Sequence, residues 1–238
     1  MMRPITVLIY TYNRPARIRR VLKSLQKHLH YAGDLLWRLA DDGTPGDYLA
    51  DIATDFPELN LEWSVTDRKG FGANANKGHR ACTTHYVFSI EDDLPLIRDV
   101  DLDMGIRLME GAPTVGALRY GITLLDTVLV GHVLKDAAGL LPYYTFDRSR
   151  SKYWNFCGHP TLIQPSWFGV YGRLPEGVRV ARVELAWTRR VAKMDGPEVA
   201  VLAQYATGYY HFGHDGFPRL GGTDDDAGLM IELGKKPR

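Results

Sequence analysis

The chain has 238 residues, 29 Lys+Arg against 28 Asp+Glu and a formal net charge of +1, with 45% hydrophobic and 11% aromatic residues. That apolar content excludes intrinsic disorder and supports one sizeable core. The near-neutral balance removes the simplest electrostatic argument for a general nucleic-acid or membrane-surface binder.

The first hundred residues alternate between strand-like and helix-like periods, which predicts βαβ units and an α/β fold with a mainly parallel sheet. Ile5 to Tyr10 is a near-continuous apolar run, as expected of a strand buried on both faces. Pro15 suits a first helical turn, and Ile18, Val21, Leu22, Leu25 and Leu29 then mark one helical face. A second strand runs from Leu35 to Ala40 and stops at the turn-rich 41–46. A short helix over 48–56 follows, and then Leu61, Trp63 and Val65 alternate with Glu62, Ser64 and Thr66 as a third strand. Asp67 to Gly72 reads as a glycine-rich charged loop, 73–82 as a helix and His85 to Ile90 as a fourth strand.

Beyond Asp93 the pattern predicts short strands over 115–120 and 123–130, with the apolar stretch 114–134 read as paired core strands. A Tyr- and Arg-rich segment covers 143–154 and a Gly/Pro-punctuated one 158–175. Val183, Trp187, Val191 and Met194 mark a helical face, and Val199 to Leu202 a closing strand. Cys82 and Cys157 exclude a disulfide framework and read as buried free thiols. No apolar run reaches the roughly 20 residues of a membrane span, so a soluble cytoplasmic protein with no membrane anchor is expected.

Three polar runs fall on strand ends of this one sheet: Thr11 to Pro15, Asp41 to Thr44, and Glu91-Asp92-Asp93. Ligands of open α/β sheets bind at that edge. Carboxylates there suit a hard divalent cation that neutralises a diphosphate, or hydrogen bonds to a base or ribose. Any one run reads equally as a helix cap or a solvated loop; the three in register point to a function.

These runs, with Arg68-Lys69-Gly70-Phe71-Gly72-Ala73-Asn74-Ala75-Asn76-Lys77-Gly78, resemble the GT-A nucleotide-sugar glycosyltransferases of the inverting family 2 type over residues 5 to 95. The resemblance implies a GT-A, Rossmann-like fold, a mainly parallel mixed sheet flanked by helices. It implies one domain over 1–220, with a donor-binding half to about 95 and an acceptor and catalytic half beyond, followed by a tail over 221–238. The implied donor is a nucleotide-diphosphate sugar, UDP-linked, held with Mn²⁺ or Mg²⁺. Thr11, Tyr12, Asn13 and Arg14 would line the nucleotide pocket, and Asp42 or its neighbour Asp41 would meet the base. Arg68, Gly72 and Asn74 would close on the donor, Asp92 would flank it, and Glu91 and Asp93 stand at the DxD position, Asp93 touching the metal. Glu91 departs from the motif's first Asp.

In the second half the resemblance implies a catalytic carboxylate at a helix start, and Glu184 is assigned as general base, although the motif here supplies one acid instead of a pair. A helix-start acid such as Glu184 equally favours the positive helix end. His211, or His214, would be a further metal or diphosphate ligand, either reading equally as a structural histidine. Asp224-Asp225-Asp226 reads as part of a solvated tail. Acceptor recognition falls to the segment with Tyr143, Tyr144, Arg148, Arg150, Lys152, Tyr153, Trp154, His159, Trp167 and Phe168. Aromatic rings stack on sugars and bases, and the basic residues fit phosphate contacts. A stand-alone enzyme of this size is similar to phage-encoded glycosyltransferases acting on hydroxymethylated pyrimidines of DNA, which implies modified DNA as the partner and a bacterial or phage-infected cytoplasm. A saccharide, lipid-linked or small-molecule acceptor is the alternative. A nucleotidyltransferase or a non-catalytic nucleotide-sugar-binding module are alternatives of another class.

Overall fold

The computed structural model describes residues 2–121, 128–148, 150, 159–164 and 166–206. In chain order the elements are β1 (Ile5–Thr11), α1 (Pro15–His28), β2 (Leu29–His30), β3 (Leu35–Asp41), α2 (Tyr48–Asp55), β4 (Glu62–Val65), α3 (Phe71–Ala81), β5 (Tyr86–Glu91) and β6 (Val100–Asp101). There follow α4 (Leu102–Gly111), β7 (Val115–Arg119), β8 (Leu129–Asp136), β9 (Gly139–Phe146), β10 (Thr161–Ile163), α5 (Ser166–Tyr171), α6 (Val180–Lys193) and β11 (Glu198–Leu202).

A nine-stranded sheet forms in the order β4-β3-β1-β5-β10-β7-β11-β9-β8. The first four strands are parallel, β10 runs against both its neighbours, and β7 with β11 restores the original direction. The mixed, mainly parallel architecture follows the expectation. Each residue of β1 from Ile5 to Thr11 is buried, because helices cover both faces of a parallel sheet. Register then fixes the ligand edge: Thr11 lies beside Asp41, and Tyr10 beside Glu91. Motifs 30 and 50 residues apart in sequence thus finish within one residue of each other across the sheet.

α1 buries Ile18, Val21, Leu22 and Leu25, the face its spacing predicts. α3 comes unusually near the sheet because it buries small residues; a Cβ on Gly78 would stand 2.9 Å from the Ala40 Cβ and 3.1 Å from Leu8. α6 buries Val183, Trp187, Thr188 and Val191. Trp187 seats against Phe168 and Tyr171, with ring centroids 5.6 and 6.4 Å away.

The structure departs from the sequence pattern in four places. In β4 Trp63 and Val65 are exposed while Ser64 is buried, since this edge strand presents the opposite face to the helices. The stretch 114–134 is not a pair of core strands: β7 is wholly buried, but β8 is an edge strand whose residues are exposed or half-buried. Of the strand expected over 123–130, residues 122–127 lie outside the described residues. Met194 falls just past α6 and is exposed. Cys82 is half-buried instead of buried, and its thiol is pushed up to about 11, chiefly by desolvation. Cys157 lies outside the described residues, as does the expected tail over 221–238. Among the described residues no helix is long and apolar enough to cross a membrane.

Trp187 is fully buried in the aromatic layer that seats α6. Trp187→Ala should therefore lower unfolding free energy by about 3–5 kcal/mol, measured as a drop in the urea midpoint with little change in slope.

Candidate functional site

The turn after β1 is built from the residues that end the strand. The Thr11 hydroxyl donates to Asp92 Oδ2 at 2.9 Å and so accepts from the Tyr48 phenol, 2.5 Å away. Burial pushes Tyr48 up to about 12, which keeps it a donor. The Tyr12 amide adds a 3.3 Å bond to the same Asp92 oxygen. Asn13 takes a left-handed φ of 49° and its amide donates to Thr44 Oγ1 at 2.8 Å. The first turn is thereby tied to the second.

The two aspartates after β3 have separate tasks. Asp41 is fully buried, and its carboxylate accepts from the Gly43 amide at 2.9 Å, the Thr44 amide at 2.7 Å and the Thr44 hydroxyl at 2.5 Å. It holds its own turn and does not sit where a base could reach it. Asp42 is half-buried and accepts from the Thr66 hydroxyl at 2.6 Å, the Lys69 amide at 3.0 Å and the Gly70 amide at 3.0 Å. It pins the loop that opens α3, where Arg68 and Gly70 have left-handed φ values of 45° and 84°. The Arg68 guanidinium lies 5.2 Å from the centroid of the Tyr12 ring, so the two residues close toward each other across the sheet edge. A cavity of about 560 Å³ opens beside this loop, lined by Gly43, Thr44, Thr66, Lys69 and Ala73 among others.

Asn74 is buried, donates from Nδ2 to the Ala40 carbonyl at 2.7 Å and has no partner for Oδ1 among the described residues. Gly72 is forced by close approach, because a Cβ there would lie 1.9 Å from the Pro175 carbonyl oxygen. That contact joins the donor-side loop to the segment that leads into α6.

At the end of β5, Asp92 and Asp93 are buried and Glu91 is half-buried. Arg14 Nη1 lies 3.0 Å from Asp92 Oδ1 and 3.2 Å from Asp93 Oδ2, and Arg17 Nη1 lies 3.6 Å from the latter oxygen. Asp93 Oδ1 is buried and has no hydrogen-bond partner among the described residues. Burial raises the Asp92 carboxyl above its ordinary range, with Arg14 and the Thr11 hydroxyl opposing. Glu91 is raised well above the usual carboxylate range by desolvation first, then by the charges of Asp93, Glu184 and Asp92. Glu184 of α6 is thus brought into electrostatic reach of the DxD-like strand end.

Other residues singled out in the sequence separate by environment. Arg148 donates to the carbonyls of Met194, Gly196 and Pro197 at 2.8, 2.5 and 2.8 Å, so it clamps the α6–β11 connection instead of offering a phosphate contact. Trp167 is fully buried and His159 buried, which removes both from an acceptor surface. Phe168 packs on the His79 ring at 4.2 Å, and Tyr143 and Tyr144 are half-buried on β9. Lys152, Tyr153, Trp154, His211, His214 and Asp224-Asp225-Asp226 lie outside the described residues.

Sequence reading missed the pair beneath the cleft, Tyr10 and His79, whose phenol oxygen and Nε2 are 2.6 Å apart. Desolvation raises Tyr10 and lowers His79 to about 3, so the phenol donates and the neutral ring accepts. It also missed Arg119, buried at the end of β7 against His159 and 5.4 Å from the Phe146 ring centroid. Neither residue belongs to a motif with a readable spacing.

The sheet, its strand-end acids and the glycine-rich loop define the GT-A fold of nucleotide-sugar glycosyltransferases. The sequence model of Glycosyl transferase family 2 matches residues 6–163, and the chain belongs to that family. No curated protein matches it in sequence. Among solved structures it is similar to S. aureus TarS, at 17% identity and a TM-score of 0.63 over 89% of this chain and 37% of that one. TarS 1-349 in complex with UDP-GlcNAc aligns at 16% identity and a TM-score of 0.62 over 90% of this chain and 59% of that one. The mannosyltransferase PcManGT from Pyrobaculum calidifontis, in complex with GDP-Man and Mn²⁺, aligns at 18% identity and a TM-score of 0.57, covering 84% and 57%. The chain thus spans between about a third and three fifths of the length of these three solved chains.

His79 is neutral in the fold and protonates near 6.5 once unfolded, so the unfolded state binds the extra proton as pH falls below about 6.5. Stability should decline between pH 6.5 and about 3, with a slope below the single-proton limit of about 1.4 kcal/mol per pH unit because the ring is only half-buried. Urea unfolding at pH 7 and pH 5 checks this; His79→Leu should flatten the dependence.

Proposed function

We propose that this chain is the catalytic part of an inverting glycosyltransferase that moves a sugar from a nucleoside-diphosphate sugar to a hydroxyl acceptor. The observation that carries the reading is the end of β5. There a buried Asp93 oxygen has no partner among the described residues, and the charge of Glu184, supplied by a separate helix, reaches the neighbouring Glu91. A nucleotidyltransferase of similar topology would need a glycine-rich loop directly after β1, where this chain has Thr11 to Pro15.

Asp42 has one carboxylate oxygen that accepts a single bond, Oδ2, and can accept another from a base or ribose. Tyr12 and Arg68 provide an aromatic face and a cation to hold the nucleotide. UDP-GlcNAc and GDP-Man in the two solved neighbours support a nucleotide sugar as donor, and the family resemblance favours a UDP-sugar.

The residues present fit a divalent cation. Among the described residues no three His, Cys, Asp or Glu side chains form a metal group, but Mg²⁺-type sites commonly use one or two carboxylates and fill their remaining positions with water and substrate phosphate. Asp93 Oδ1, without a hydrogen-bond partner among the described residues, would be such a ligand, with Glu91 beside it. A bound Mn²⁺ or Mg²⁺ would offset the charge that builds on the departing diphosphate. Arg14 and Arg17 supply further positive charge at the same place.

Glu184 takes the acceptor hydroxyl proton as the new bond forms. Its charge reaches Glu91 at the strand end, so the proposed base stands beside the proposed metal-holding acids. With Arg148 engaged on backbone carbonyls, the basic flank that pointed to modified DNA is reduced. The acceptor class is therefore a hydroxyl-bearing compound, with hydroxymethylated DNA as one member of the screen.

Glu184→Gln should lower kcat by about 10²–10⁴-fold, the usual worth of a general base, while leaving nucleotide affinity within a factor of about three. Donor turnover measured by mass spectrometry, alongside calorimetric UDP binding, checks both halves. Wild-type turnover in that variant sinks Glu184 as base. Absence of any sugar transfer or donor hydrolysis by the wild type across UDP- and GDP-sugars sinks the enzymatic reading.

A further inference from the structure

One nitrogen of Arg14 stands between the two buried carboxylates, 3.0 Å from Asp92 and 3.2 Å from Asp93. Bridging two carboxylate oxygens is also the electrostatic task of a divalent cation. The guanidinium reaches that place from the solvent side: 44% of the Arg14 side chain is exposed, against 4% for each aspartate. It is carried by the turn after β1, where Asn13 has the left-handed backbone that directs the next residue over the strand end.

The two carboxylates depend on Arg14 unequally. Asp92 also accepts from the Thr11 hydroxyl and the Tyr12 amide, so it stays hydrogen-bonded if the guanidinium leaves. Among the described residues Asp93 Oδ2 would keep Arg17 at 3.6 Å, and Asp93 Oδ1 has no hydrogen-bond partner. Removing Arg14 therefore leaves Asp93 in need of positive charge, beside Glu91 and Glu184.

We propose that Arg14 is a movable counter-ion that competes with a divalent cation for Asp92 and Asp93, and that a nucleoside diphosphate ends the competition by drawing the guanidinium onto its phosphates. The inference rests on Asp93 being the metal-contacting residue. A planar guanidinium matches a diphosphate at least as well as a carboxylate. The transfer makes the binding of metal and of nucleotide mutually reinforcing: each raises the affinity of the other by the same factor. Arg17 stays behind as the weaker partner of Asp93, so the strand end is never without positive charge.

The test is a Mn²⁺ titration at pH 7.5, following the electron paramagnetic resonance signal of free Mn²⁺, with and without UDP. Without nucleotide, Arg14→Met should bind Mn²⁺ at least about tenfold more tightly than wild type. UDP should strengthen Mn²⁺ binding in wild type by a larger factor than in the variant. Arg14→Gln, which keeps a hydrogen-bond donor and loses the charge, should behave like Arg14→Met and carries the test if the apolar variant does not fold. Arg14→Lys should stay close to wild type. Unchanged or weaker Mn²⁺ affinity in both neutral variants overturns the proposal. Asp93→Asn separates the two levels. Mn²⁺ binding that ignores Asp93→Asn removes the metal reading itself, whereas binding abolished by Asp93→Asn yet indifferent to Arg14 removes the counter-ion alone.

Discussion

Like charges crowded at the end of one buried strand are the constraint around which the first half of the chain is arranged. Glu91, Asp92 and Asp93 follow one another where β5 meets the sheet edge, and Glu184 adds a fourth negative side chain from α6. Desolvated carboxylates side by side are unfavourable unless donors and cations surround them. The Thr11 hydroxyl, the Tyr12 amide, Arg14 and Arg17 supply these, all from β1 or the turn and helix that follow it. The alignment of β1 on β5, Tyr10 beside Glu91, is what makes that supply possible. A one-residue slip would turn every β1 side chain to the other face.

A second layer of order comes from polar groups that fix loops. Asp41 closes its own turn, Asp42 closes the loop of the next strand, and the Asn13 amide ties the first turn to Thr44. Three strand-end loops are therefore cross-linked by hydrogen bonds before any ligand is considered. A donor pocket assembled this way is largely pre-formed, which limits the ordering entropy lost on binding.

The donor half was legible because its periods are strong: β1, α1, β3, α3 and β5 each fall within about two residues of the predicted spans. The strand-end motifs were legible for the same reason, since parallel strands place successive carboxyl ends on one edge. The rest was hidden by contacts that have no period. Trp63 and Val65 alternate correctly, yet β4 is an edge strand and turns them outward. The β8–β9 hairpin has apolar residues that stay exposed, such as Val133 and Leu140, so composition suggested core where there is none. Arg148 looked like part of a basic flank because sequence displays charge and conceals the carbonyls that absorb it. Tyr10 and His79 meet across 69 positions, and only the packing of α3 on the sheet reveals the pair.

Gly72 has a mechanical consequence. With a virtual Cβ 1.9 Å from the Pro175 oxygen, the donor-side helix and the segment before α6 touch backbone to backbone, with no side chain between them to compress or rotate. Such a contact behaves as a hard stop. Asn76 reinforces it, its amide bonding the Leu174 carbonyl at 3.0 Å and its oxygen accepting from the Leu174 amide at 2.9 Å. That side of the loop is therefore stiff, whereas on its other side Arg68 rests on Tyr12 through a contact between two side chains, which a single rotation can undo.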